Sequence, residues 1–81
     1  MEKYLVEIRI PAAEAAFDAW LPAALTVGQA TALACAMAKK LGLPAPGAEA
    51  LLCRAGDGAA YPADASVEQT DIRSGARLIL M

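Results

Sequence analysis

The residue types that most often carry chemistry are few in this sequence, and their spacing assigns them to other duties. There is no His, which removes His-based triads, His general bases and the mixed Cys/His zinc spacings together. Cys35 and Cys53 are the two cysteines. Their spacing permits a disulfide, but thiols in a reducing compartment stay reduced. The favoured reading makes Cys53 a small core hydrophobe and leaves Cys35 as a bystander beside the apolar centre of a helix. Carboxylates pair loosely, Asp57 with Asp64 and Glu68 with Asp71. With no partner base and no cleft, they read as solvated turn residues rather than as a general acid and base. Gly56-Asp57-Gly58 is a turn and not a phosphate cradle, because no Lys-Ser/Thr and helix follow it. No catalytic residue, cofactor or metal ligand is therefore expected. What remains is recognition through apolar contact, for which Trp20, the one tryptophan, is the most informative residue.

Composition bounds the scale. A chain of 81 residues buries only about 60% of the surface its unfolded form exposes, enough for one domain spanning residues 1–81 and one compact core. The hydrophobic fraction of 58% owes much to Ala, so the large apolar residues suffice for that core and little else. The net charge of −2 is scattered singly along the chain. No basic stripe is present to neutralise phosphates, and nucleic acid is a poor partner. Nothing approaches a membrane-spanning apolar run, and the N-terminus lacks the layout of a signal peptide. The expectation is a soluble, cytoplasmic protein that does not insert into a membrane.

The elements that must position Trp20 follow from hydrophobic period. KYLVEIRI places Tyr4, Val6, Ile8 and Ile10 on one face of a strand, with Leu5, Glu7 and Arg9 on the other. Residues 11–15 connect it to a second, antiparallel strand, in which Phe17, Ala19 and Leu21 alternate with Asp18 and Trp20 until Pro22. The period then changes. Thr26 with Gln29 three residues on is a capping box, and a helix runs to about Leu41 with Val27, Ala30, Leu33, Ala34, Met37 and Leu41 inward. Lys39 and Lys40 suit its C-terminal end and Gly42 stops it. Residues 43–48 form a Pro-rich loop. In the short strand of AEALLCRAG, Leu51 and Cys53 take one face and Leu52 and Arg54 the other. Ala59 to Tyr61 can pair briefly at an edge, kept short by Pro62. Val67 and Ile72 anchor a turn-rich segment, Ser74-Gly75 turns the chain, and Leu78 and Leu80 alternate with Arg77, Ile79 and Met81 in a final strand.

This order resembles ubiquitin and the β-grasp family over essentially the whole chain. The resemblance is carried by Leu21, Thr26 and Val27 at the strand-to-helix junction, by the apolar strand ending in Ala-Gly (LLCRAG), and by Ile72, Gly75, Leu78 and Leu80 at the close. Within the family, FDAWLPAALTV before an Ala-rich helix, with Ile72 to Leu78 near the end, is most similar to the YukD-like proteins encoded beside type VII (WXG100) secretion systems. The resemblance implies an α+β fold, a mixed four- to five-stranded sheet packed on one α-helix in strand order 2-1-5-3. It also implies an outer sheet face that presents Leu5, Trp20, Leu52, Ile79 and Met81 to water. Ubiquitin's own partner-binding patch is taken to lie at the equivalents of Leu52 and Met81.

The expected function is a non-enzymatic protein–protein interaction module, an accessory or regulatory component of a type VII secretion system. Its outer face would bind a secretion-system protein, with homodimer formation as the other use of the same face. The sequence ends at Met81 within the last strand and shows no Gly-Gly, so it is not expected to be conjugated. The alternatives within the family are a sulfur carrier or modifier, and a small subunit of a multicomponent enzyme.

Overall fold

The computed structural model describes residues 2–47 and 49–81; Ala48, the expected end of the Pro-rich loop, lies outside the described residues. Strand β1 (Lys3–Ile10) is followed by a 3-10 turn at Pro11–Ala13, strand β2 (Ala15–Pro22), helix α1 (Val27–Lys40), strand β3 (Leu52–Arg54), a second 3-10 turn at Val67–Gln69 and strand β4 (Arg77–Leu80). The sheet order is β2-β1-β4-β3. β1 pairs antiparallel with β2 and parallel with β4, and β3 is antiparallel to β4. A mixed sheet in this order with one helix against it is the ubiquitin-like β-grasp, as the sequence leads one to expect.

The core follows from strand alternation. Tyr4, Val6, Ile8 and Ile10 lie opposite Leu21, Ala19, Phe17 and Ala15 on the inner face, and Leu78 and Leu80 join them from β4. Val67 and Ile72 are fully buried anchors of the turn-rich segment. β2 begins two residues earlier than Phe17, because Glu14 adopts a left-handed conformation (φ 50) that ends the 3-10 turn and redirects the chain into the strand.

α1 starts where the sequence places it. Thr26 Oγ1 accepts the Gln29 N–H at 3.1 Å, and Gln29 Oε1 accepts the Thr26 N–H at 3.0 Å. The next two helical N–H groups, of Val27 and Gly28, donate to the carbonyls of Ala65 and Ala63. Donors that a helix cannot satisfy internally thus tie its start to the 63–65 loop. The seam against the sheet is Val27, Ala30, Thr31, Ala34 and Ala38. Its alanines let the helix backbone lie close to the strands.

Three inward helix assignments need correction. Leu33 and Met37 flank the seam half-buried, and Leu41 is exposed. The cause is the helix end: Gly42 (φ 74) takes the left-handed conformation, its N–H reaches Lys39 O, and the Leu43 N–H reaches Ala38 O. This Schellman pairing swings Leu41 out and packs Leu43 against the core instead.

The faces of β3 are also reversed from expectation. Leu52 lies opposite Leu80, and Arg54 opposite Leu78, so Leu52 belongs to the core, while Cys53, on the same side as Ile79, is nonetheless buried as expected. Both alternations of Leu51-Leu52-Cys53 are apolar, so hydrophobic pattern alone could not choose between them. Pairing with β4 does, and a one-residue slip exchanges every side chain between faces.

Candidate functional site

The outer face is built from residues that alternate with the core. β2 contributes Asp18 and Trp20, β1 contributes Leu5, Glu7 and Arg9, and β4 contributes Arg77 and Ile79. Leu5 lies directly opposite Trp20, and the two form an apolar corner at the β2 side. Trp20 is 50% exposed. Lys3 Nζ sits 5.1 Å from the centre of its ring, a cation–π contact that covers part of the indole while leaving the cation in water.

A second apolar corner lies at the other end of the sheet. Ile79 is half-buried opposite Cys53, and beyond them Leu51 and Met81 exchange backbone bonds, 2.6 and 3.0 Å long. Leu51 and Met81 are each 51% exposed. Of the five side chains expected on this face, the structure places Leu5, Trp20, Ile79 and Met81 there. Leu52 is 1% exposed and points into the core. Its neighbour Leu51, one step along the strand, is the exposed leucine that the sequence reading missed. The signal that could have found it is Leu80, whose inward position fixes Leu52 beside it.

Between the two corners runs a charged strip. Arg9 Nε donates to Glu7 Oε1 at 3.1 Å on the same strand face, with Asp18 opposite Glu7 on one side and Arg77 beside it on the other. The strip is close to electrically balanced, so this face offers apolar anchors framed by paired charge and no single-sign field. That composition suits protein recognition, in which a few large side chains dominate and a polar rim fixes register.

The carboxylates considered for chemistry are engaged elsewhere. Arg54 bridges Asp57 (3.1 Å) and Asp71 (2.9 Å), and the Tyr61 hydroxyl donates to Asp71 at 2.8 Å. The Ala59 N–H, followed by Arg54, holds the Asp57 carboxyl below its ordinary range. Burial, followed by donation to Asp71, pushes the Tyr61 hydroxyl up. Asp57 is a turn residue that bonds its own loop, and the cluster closes the 54–61 turn over the end of β4. Both cysteines are free. The Cys35 thiol is raised by burial, which reduces its reactivity. Among the described residues no group of three or more Cys, Asp and Glu could hold a metal ion, and no helix is long and apolar enough to cross a membrane.

No family model matches the chain, and no curated protein matches it in sequence. Solved structures do. The whole chain superimposes on part of an ESX-5 inner membrane complex (TM-score 0.72, 22% identity), spanning 21% of the matched chain there. It matches the EccD5 ubiquitin-like domain from Mycobacterium xenopi over all of its own length and 94% of that domain (TM-score 0.75, 19% identity). It also matches the ubiquitin of Caldiarchaeum subterraneum over 98% of its length and 91% of that chain (TM-score 0.75, 19% identity). At these identities the likeness is one of fold.

Proposed function

We propose that this chain is a non-enzymatic ubiquitin-like interaction module of the YukD-like kind, acting in the cytoplasm as an accessory or regulatory component of a type VII (WXG100) secretion system. The observation that carries the reading is the outer sheet face. A tryptophan half-exposed beside Leu5, and a second corner of Leu51, Ile79 and Met81, leave apolar surface hydrated on one side of the sheet. The secretion-system assignment is supported by likeness to the EccD5 ubiquitin-like domain and to the matched part of the ESX-5 inner membrane complex. The non-enzymatic assignment is supported by the likeness to ubiquitin-like domains and by the engagement of Asp57 and Asp71 in a structural ion-pair cluster.

The partner in this reading is a protein of the type VII inner-membrane machinery. The test is retention of the purified chain by a detergent-solubilised type VII inner-membrane complex from the same source. Wild type should be retained, and Leu5→Asp should be lost while keeping its circular dichroism. Failure of the wild-type chain to be retained at micromolar concentrations would remove the secretion-system assignment.

A further inference from the structure

β2 lies at one edge of the sheet, with β1 as its one strand partner among the described residues. The Ala23 N–H donates to Glu2 O at 2.9 Å, just beyond the Lys3/Pro22 pair. Bonded pairs recur at every second residue of an antiparallel ladder, so Leu21, Ala19, Phe17 and Ala15 turn their N–H and C=O groups toward β1. The other side of β1 agrees, because Leu5 O accepts from Gly75 and the Glu7 N–H goes to Ala76. The backbone groups of Ala16, Asp18 and Trp20 therefore point away from the sheet, and no described residue bonds them. β2 is 8 residues long. The opposite edge, β3, has only 3 and is met by Ala60. A long, open edge is a template for adding a strand.

The surroundings of this edge match the strand's own sequence. Gly28, Ala32 and Cys35 line a groove on the side of α1 that faces Pro46, Gly47 and residues 50–52, so the other flank, with Leu33 and Met37, lies toward β2. With Phe17, these side chains are half-buried against the core beneath the edge. Above the edge, on the outer face, Lys3 sits over Trp20 and Asp18 is exposed.

We propose that β2 pairs antiparallel with β2 of a second copy, about a two-fold axis at Ala19, to make one continuous sheet. In this register Asp18 and Trp20 of each copy exchange N–H···O=C bonds with Trp20 and Asp18 of the other. On the inner side Phe17 lies opposite Leu21 of the second copy and Ala19 opposite Ala19; Leu21 and Ala19 are already buried in their own copy, so the half-buried Phe17 supplies the apolar surface that pairing covers there. On the outer face, Asp18 arrives beside Trp20 of the second copy and the Lys3 that covers it, a complementary charge repeated by the symmetry. The neighbouring registers are poorer. An axis at Asp18 sets two carboxylates opposite each other. An axis at Trp20 leaves Trp20 as the one fully bonded pair, since Asp18 then meets Pro22, which has no N–H and whose carbonyl already accepts from Leu25; at Ala19 it is only Ala16 that meets Pro22, and both Asp18–Trp20 pairs are kept. An axis at Phe17 carries Trp20 past the strand to Glu14, which is outside β2. Pairing at Ala19 also brings the Leu5–Trp20 corners of the two copies onto one surface near the axis.

The proposal stands independently of the outer-face reading, since the edge is tested by mass in solution and the face by binding to another protein. Sedimentation of the 81-residue chain should show a monomer–dimer equilibrium with Kd tighter than about 1 mM. Asp18→Pro removes an edge donor that β1 does not use, and should be folded and monomeric. Asp18→Lys, which brings a cation toward the Lys3 lying over the opposed Trp20, should weaken the dimer roughly tenfold, attraction changing to repulsion at both symmetric positions. Lys3→Glu added to Asp18→Lys should restore it. Ala19→Cys should give an oxidised dimer linked at position 19, because opposed residues in a non-bonded pair approach to the separation a disulfide needs. A wild-type chain monomeric at millimolar concentration would overturn the proposal. So would a dimer unaffected by Asp18→Pro, or one that cross-links through Asp18→Cys and not through Ala19→Cys.

Discussion

Leu51 and Leu52 are the same side chain one position apart, and only the partner strand distinguishes them. Leu52 faces Leu80 inside the fold while Leu51 faces Met81 in water. Leu52→Ala should cost about 2–5 kcal/mol, as core truncations do, whereas Leu51→Ala should stay within about 0.5 kcal/mol. Urea titrations of the two variants compare them directly, and equal losses would contradict the register. The same contrast explains what the sequence could tell. Trp20 and Leu5 were legible because Asp18, Glu7 and Arg9 mark the outer face of their strands; Ile79 and Met81 stand in the apolar run Leu78 to Met81, where Arg77 alone marks that face. Leu51-Leu52-Cys53 carries no such mark. The Arg54 cluster was not legible either, because Asp57, Tyr61 and Asp71 come from separate turns and meet only after folding. It gives a pH prediction of its own. The Asp57 carboxyl is held low in the folded state, so its contribution is complete above the ordinary carboxylate range and is lost as pH falls through the lowered value. Tyr61 is held high, so its contribution is complete below about pH 10 and is lost as pH rises beyond it. Stability from urea midpoints should decline at both extremes, and Tyr61→Phe should remove the tyrosine part of the alkaline decline.

α1 shows how an element can be read at one end and misread at the other. Its start is a local device, Thr26 and Gln29 exchanging side-chain bonds with backbone, and local devices are written in sequence. Thr26→Ala should cost about 0.5–2 kcal/mol, measured by thermal or urea unfolding. No loss would mean that the Val27 and Gly28 bonds to the 63–65 loop hold the helix start without the cap. The C-terminal end depends on where the chain goes next. Leu41 has the right spacing to face inward, but the Gly42 turn ends the helix at Lys40 and Leu43 takes the apolar contact. Spacing also overstated Leu33 and Met37, because large residues stand at the borders of the inner stripe and alanines at its centre. The alanine seam has its own consequence. Ala34 is fully buried against the sheet, so Ala34→Leu should destabilise by roughly 1–3 kcal/mol through overpacking, although leucine is a strong helix former. A neutral result would mean that the helix can lift from the sheet without loss.

At the scale of the molecule, strand order was legible only through the resemblance to the β-grasp family, which several weak patterns carry jointly: the capped helix after an antiparallel pair, the Ala-Gly after β3, and Ile72 and Gly75 ahead of β4. The likeness to ubiquitin-like domains agrees with that order and, at these identities, speaks to fold. The proposed function rests instead on the side chains that the fold leaves in water. One side of the sheet is sealed by α1 and the other keeps two apolar corners about a balanced charged strip, the surface on which the proposed partner would sit. The most direct measurement of that claim is acrylamide quenching of Trp20, the single tryptophan, during titration with the solubilised type VII inner-membrane complex, its own fluorescence subtracted. The dilute chain alone should emit toward the red and quench readily. Saturable binding should shift emission to the blue and protect Trp20, and Trp20→Ala should weaken the same binding, followed by a label, by at least about 2 kcal/mol. A complex that binds the chain with equal strength after Trp20→Ala, and leaves the wild-type Trp20 as open to quencher as before, would contradict the account.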